Sequence, residues 1–267
     1  MRNCLKKYMR VLRELIRLRL HNMMVFRLDF FGPFFVDGTL FLVQLLAFSV
    51  IYEHIDTFGG WGRGEMILYI GTFSLINAIS MTLYFFGMIT IPEKVKNGEL
   101  DLYLTKPVSP LFRLSFEHIN FGSVPLILMS FCVIWYGIQA MERTVTAGAS
   151  AGYVWWVVIM TVLDYDMEVL IRAISLYCVT TARMEQLEEA CLSLCMKLPG
   201  IAFYGGYKVL FYFLLPYGIM ATYPVHSMVG EMNMVRAVYG TSIVVLFSML
   251  TGVVWKQGLK KYNSASS

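Results

Sequence analysis

The sequence predicts an all-α polytopic membrane protein: six transmembrane helices, an N-terminal amphipathic interfacial helix and a polar cytoplasmic element between spans two and three. Three observations carry this. The chain of 267 residues is 57 % apolar and 15 % charged, with a mean hydropathy of +0.61, whereas a soluble domain is about a quarter charged. Its apolar runs are long and do not alternate as barrel strands do, so helices must satisfy the backbone in lipid. Lys and Arg also fall almost wholly on one side of those runs. The net charge of +4 is small and speaks to orientation, not to nucleic acid.

Residues 1–28 form the first unit. Arg2, Lys6, Arg10, Arg13 and Arg17 recur every three or four positions, and Leu5, Tyr8, Met9, Leu12, Leu15 and Ile16 fill the other side. A basic amphipathic helix of this kind lies in the headgroup layer and contacts membrane lipid. Residues 29–256 form the six-span transmembrane domain and residues 257–267 a cytoplasmic tail. Span one covers roughly residues 30–51, entered through Gly32 and Pro33, and span two residues 66–91. Span three covers 114–139, followed by a loop at 142–150. Span four covers 153–182, longer than the ~20 residues of a straight crossing. Residues 183–198 are amphipathic and acidic at their start. Span five covers 207–223 and is interrupted by Pro216; span six covers 235–255.

With the N-terminus inside, only Arg63, Arg143 and Arg236 fall in outer segments and Arg172 within the membrane. All other Lys and Arg, Lys197 and Lys208 included, are assigned to the inner side. Both termini and residues 91–112 are therefore expected in the cytoplasm. Trp61, Trp155, Trp156 and Trp255 sit near the expected interfaces, as aromatic-belt residues do.

The longest polar interior stretch is IPEKVKNGELDLYLTKPVSPLF, residues 91–112. Pro92 suits a first helical position and Gly98 a helix end. Leu100, Leu102 and Leu104 make a second short amphipathic piece, closed by Pro107 and Pro110. Such an element either docks a partner or only turns the chain.

Span four holds Asp164, Asp166, Glu168 and Arg172. Asp164, Glu168 and Arg172 are spaced by four and share a helix face. Ionisable groups at membrane depth face a protein interior, one another or a water path. They line a polar path, or Glu168 and Arg172 compensate each other. Gln44 and Asn77 are isolated polar residues of the kind that bond between helices. Cys4, Cys132, Cys178, Cys191 and Cys195 form no CxxC, and His21, His54, His118 and His226 are scattered, so no metal site is expected. GxxxxGK[ST], GxSxG and HExxH are absent. No catalytic residue or directly bound cofactor is expected, and ATP with its Mg, if used, belongs on another chain.

Several stretches in order resemble one family: GGW at 59–61, GTF at 71–73, GELDLYLTKPVSP at 98–110, LPYGIMATYPVHSMVG at 215–230 and GLKKYNSASS at 258–267. The chain resembles the ABC type-2 permeases, membrane subunits of bacterial ABC exporters, over nearly its full length, and its tail resembles that of a subgroup ending in SASS. The resemblance implies six spans, location in the bacterial cytoplasmic membrane, and a coupling helix docking a separate ABC ATPase subunit. It also implies pairing with a second permease copy or a divergent paralogue. On it, Glu93, Gly98, Glu99, Leu100, Asp101, Leu104 and Pro107 form the coupling surface. The charges of span four depart from the family's mostly apolar pattern and leave room for a polar or amphipathic substrate. Two other readings are a proton-linked secondary transporter using the acids of span four, and a membrane assembly subunit without transport.

Overall fold

The computed structural model describes residues 2–23, 27–141, 143, 145–178 and 182–262. Residues 263–267 of the expected tail lie outside these, as do residues 24–26, Glu142 in the loop after span three and residues 179–181 at the expected end of span four. The described chain is helical, with a single isolated bridge between Phe58 and Trp61. In order the helices are α1 (Arg2–Met23), α2 (Arg27–Ile51), α3 (Arg63–Leu83), α4 (Phe85–Met88), α5 (Ile91–Lys96), α6 (Asp101–Leu104) and α7 (Pro110–Phe116). They continue with α8 (Val124–Ala140), α9 (Ala147–Ala173), α10 (Ala182–Lys197), α11 (Gly205–Val209), α12 (Tyr217–Met220), α13 (Thr222–Val229) and α14 (Met234–Lys261).

Among the described residues, three helical stretches are long and apolar enough to cross a membrane: 63–83, 121–140 and 234–261. A fourth would come from the pair Gly205–Leu214 and Tyr217–Val229 if it were one span, but that pair is bent by 79° around Pro216. This is an all-α, multi-pass membrane protein. Several boundaries move. Span two ends at Leu83, where the chain leaves helical geometry at Tyr84. The third long helix starts near Phe121, after a turn in which Asn120 accepts from the Gly122 N–H at 3.0 Å. α9 starts at Ala147 and ends at Ala173.

α3 is the central helix, buried along most of its length. It meets α8 closely because glycines stand at the crossing: a Cβ on Gly137 would lie 2.7 Å from the Leu68 nitrogen, and one on Gly71 3.0 Å from the Ile134 nitrogen. Without a hydrophobic drive between helices in lipid, such backbone approach supplies the packing. Ser130 donates to Ser74 at 2.9 Å across the same interface.

The helices have two distinct ends. One gathers α5–α7, the C-terminal turn of α9 and the last turns of α14, around Met88, Ile91, Leu100, Leu114, Val169, Leu176 and Trp255. The other gathers the 58–65 turn, Arg143, Ile201 and the end of α13. There Arg143 pairs with Glu65 at 3.5 Å and with Glu231 at 3.4 Å. His226 meets Glu231 at 3.0 Å, and Trp61 meets His226 edge-on at 5.4 Å.

α10 changes the expected topology near its end. Its Glu188 reaches Arg172 of α9, while the Cys195 carbonyl accepts from Tyr69 and the Met196 carbonyl from Gln44. Just beyond, Ile201 abuts Gly59. α10 therefore leads from the ionic residues of α9 to the opposite end, where 205–229 forms a bent pair and not a simple fifth span. Lys208 lies beside Arg236 at that end, so the expectation that these two stand on opposite sides is corrected. The interface reading of the tryptophans is corrected too: Trp61 is 1 % exposed and packs on Tyr69, Trp156 and Trp255 are buried, and only Trp155 of the four is exposed.

Candidate functional site: the polar element and the buried ionic cluster

The 91–118 segment is built from sequence punctuation. Pro92 occupies the first turn of α5, where its missing N–H costs nothing. Gly98 takes φ +74°, the left-handed conformation that ends α5 and turns the chain into α6. The leucines then divide. Leu100 is 0 % exposed and seats the element on Val169 and Ala173 of α9 and Trp255 of α14, while Leu102 is 65 % and Leu104 42 % exposed. Leu100 is thus a packing residue beneath the surface, which corrects its expected place among the contacts. Of the expected surface residues, Glu93, Glu99, Leu104 and Pro107 are exposed, and Gly98 and Asp101 partly so.

A polar knot stiffens the segment. Tyr103 donates to Glu117 at 2.6 Å, Lys94 lies 3.7 Å from the same carboxylate, and Lys94 and Arg113 sit over the Tyr103 ring at 4.8 and 5.0 Å. Burial pulls the Lys94 ammonium down, partly offset by Glu117. Burial and the bond to Glu117 hold the Tyr103 phenol up.

Helix α1 lies along the far side of this segment. Lys7 donates to the Pro107 carbonyl, the Ser109 N–H donates to Tyr8 at 3.2 Å, and Tyr8 meets Phe112 edge-on at 4.8 Å. Arg19 donates to the Glu117 carbonyl at 2.7 Å and touches His118. Burial first, then the charges of Arg19 and Lys94, push the His118 imidazole down to about 4. The amphipathic pattern of α1 was legible in sequence, but its partner was not, because nothing local couples residues 7–19 to 107–118.

The four charged residues of α9 are all buried. Asp164 accepts from the Tyr84 hydroxyl at 2.8 Å. Arg172 pairs with Glu168 one turn earlier at 3.1 Å and with Glu188 of α10, and Glu188 accepts from Tyr217 of α12 at 3.4 Å. Three of the four thus form one group with Tyr84, Glu188 and Tyr217, joining α9, α10, α12 and the end of α3. Asp166 faces elsewhere and accepts from Ser248 of α14. A void of about 10 Å³ adjoins Asp164, room for about one water. Sequence reasoning placed Asp164, Glu168 and Arg172 on one face correctly. It missed Glu188, whose only signal was an acid in an otherwise amphipathic helix.

Gln44 donates to the Met196 carbonyl between helices, as expected. Asn77 does not bond between helices: it is exposed and reaches only Met81 of its own helix at 3.6 Å. Among the described residues no group of three His, Cys, Asp or Glu is arranged to hold a metal ion.

A family model described as ABC-2 family transporter protein matches residues 39–266. No curated protein and no solved structure matches the chain.

Proposed function

The chain belongs to the ABC-2 family of transporter proteins and is a permease component of an ABC transporter; from this premise we propose that residues 91–112 couple it to a separate ATPase subunit that drives export. The observation that carries the reading is the two-sided build of the segment. Its outer side presents Leu102 and Leu104 among Glu93, Glu99 and Asp101, while its inner side is wedged by Ile91, Leu100 and Tyr103. Exposed leucines rimmed by charge have the composition of a contact patch. The wedge rests on Val169 and Ala173, which flank the turn that carries Glu168 and Arg172. Movement of the segment on ATP binding would thus act on α9 directly, and through the ionic cluster on α10 and α12. Coupling of this kind needs the partner to contact the two states of the permease differently.

On this reading six helices traverse the bilayer: α2, α3, α8, α9, α10 and α14. The 91–118 end, α1 and both termini face the cytoplasm of a bacterial cell, and 205–229 dips into the membrane from the other side. The residual Lys and Arg bias supports that orientation, even with Lys197 and Lys208 moved across. Residues 1–28 act as an interfacial unit, 29–256 as the permease domain, and 257–267 as a tail. A full transporter pairs this chain with a second copy or a paralogue, with ATP and Mg held by the ATPase subunits. The buried cluster ties helices together within the subunit through the pairs of Arg172 with Glu168 and Glu188 and the bond from Tyr217, while Glu168 Oε2 and Arg172 Nε keep no hydrogen-bond partner among the described residues; contacts across three helices suit a joint.

The test is the double substitution Glu99→Lys and Asp101→Lys, made in cells that carry the native partners. Membrane insertion should be unchanged. The amount of ATP-hydrolysing chain that copurifies, and the ATPase activity of the purified complex, should fall several-fold. Wild-type copurification and activity in the double variant would remove residues 91–112 from the coupling role.

A further inference from the structure

The bent pair at the opposite end encloses a cavity of about 570 Å³ lined by aromatic rings and cations: Phe203, Tyr204, Tyr212, Tyr239, Lys208 and Arg236. Its wall includes a π-helical turn at Leu210–Leu214, closed by the Leu215 N–H donating to the Leu210 carbonyl at 2.7 Å. Such turns are rare and cluster at functional sites. No Asp or Glu lines the cavity. Glu231, whose backbone carbonyl accepts from Arg236, has its carboxylate taken by Arg143 and His226. Lys208 sits 5.6 Å over the Tyr212 ring. Among the described residues neither Lys208 nor Arg236 has a carboxylate partner. Arg143 and His226 at this end each meet a carboxylate, whereas Lys208 and Arg236 face one cavity without one.

The surroundings add an apolar surface. Tyr204, Val209, Phe213 and Val235 line the cavity and are exposed, and Tyr207, Leu214 and Val238, next to lining residues in the chain, are exposed too. They border the N-terminal turns of α14, a helix apolar enough to cross the bilayer, so this surface meets acyl chains. The cavity is large enough for a headgroup and its glycerol but not for whole chains, which would run along the exposed valines and Phe213. Arg and Lys together suit a phosphate, through charge-assisted bonds and a point charge respectively. We propose that this cavity is a binding site for an anionic phospholipid, with the phosphate between Lys208 and Arg236. The site does not depend on how the chain couples to ATP.

The experiment uses the full chain purified in a non-ionic detergent. Thermal unfolding is followed while dihexanoylphosphatidylglycerol, dihexanoylphosphatidylcholine or glycerol 1-phosphate is titrated. The phosphatidylglycerol should bind about tenfold tighter than the phosphatidylcholine, and Lys208→Gln with Arg236→Gln should bring the two within about twofold. An undiminished preference in that double variant overturns the proposal. Glycerol 1-phosphate binding as tightly as the phosphatidylglycerol overturns the lipid assignment in favour of a soluble anion. Should the variant fail to fold, a diazirine-bearing phosphatidylglycerol photoreacted with the wild-type chain decides instead. Labelling of residues 204–214 or 235–239 is expected, and labelling confined to other segments overturns the site.

Discussion

The two ends of the helical bundle treat charge in opposite ways. At the 91–118 end, Lys94, Arg113, Glu117 and Tyr103 tie the segment to itself, and Leu100 bolts it to α9 and α14. What is left outward is Leu102 and Leu104, set among the exposed acids Glu93 and Glu99. At the other end, Arg143 joins the first turn of α3 to the loop after α13 through Glu65 and Glu231, and the cavity beside them is lined by cations without an acid: Lys208 and Arg236 among aromatic rings. The first end uses its polar groups to stiffen a platform, which on the proposed coupling meets a protein through Leu102 and Leu104. The second is a set of loops held by exposed ion pairs around a pocket that selects for negative charge. The ionic cluster of Arg172, Glu168 and Glu188 lies just beneath the first end, buried on the turn of α9 that the segment packs on.

That contrast predicts a graded series of effects. The largest belongs to the shielded cluster. Arg172→Met leaves Glu168 and Glu188 buried without a cation and should cost about 3–5 kcal/mol, read as a lowered unfolding temperature in detergent. Adding Glu168→Gln and Glu188→Gln should recover part of the loss, and no loss in the single variant would break the idea of a shared joint. Next comes the platform. Leu100→Ala should destabilise by about 2–5 kcal/mol through the cavity it opens, whereas Leu102→Ala should leave unfolding unchanged and weaken only ATPase copurification. Equal stability losses at the two positions would erase the distinction between bolt and contact.

The clasp of the opposite end should matter less. Arg143 is half exposed, so Arg143→Ala should cost about 1 kcal/mol or less, and the loss should shrink in high salt. A salt-independent loss would mean that packing, not charge, holds those loops. The smallest effect concerns α1. His118 is held down to about 4 against an ordinary 6.5, so between those values the unfolded chain takes up a proton that the folded one refuses. Its contribution is complete above 6.5 and declines as pH falls towards 4. Protection factors of amides in α1 and residues 107–118, taken relative to the intrinsic exchange rate at each pH, should therefore fall over that window, and His118→Gln should flatten the response.

Much of this was legible without a structure, and the reasons differ by residue. Pro92 and Gly98 announced their own positions because φ restrictions are local. α3, α8 and α14 showed as apolar runs because lipid demands about 20 such residues whatever the neighbours. α10 did not, since Arg183, Glu185, Glu188, Glu189 and Lys197 dilute its hydropathy, and one of those acids is matched only by Arg172 on another helix. Trp61 looked like a belt residue because position along the chain says nothing about the side a ring faces; contact with Tyr69 and His226 puts it inside.

By itself, then, the sequence determined the membrane class, the punctuation of residues 91–112 and the shared face of Asp164, Glu168 and Arg172. Each of these follows from hydropathy, backbone restriction or helical period, which act within a few residues. The tertiary structure alone decided that Leu100 points inward while Leu102 points out, and that Glu188 completes the pair with Arg172. It alone left Lys208 and Arg236 facing one cavity without an acid. Those outcomes depend on which surfaces meet across more than ten residues of chain, and no local preference encodes the meeting.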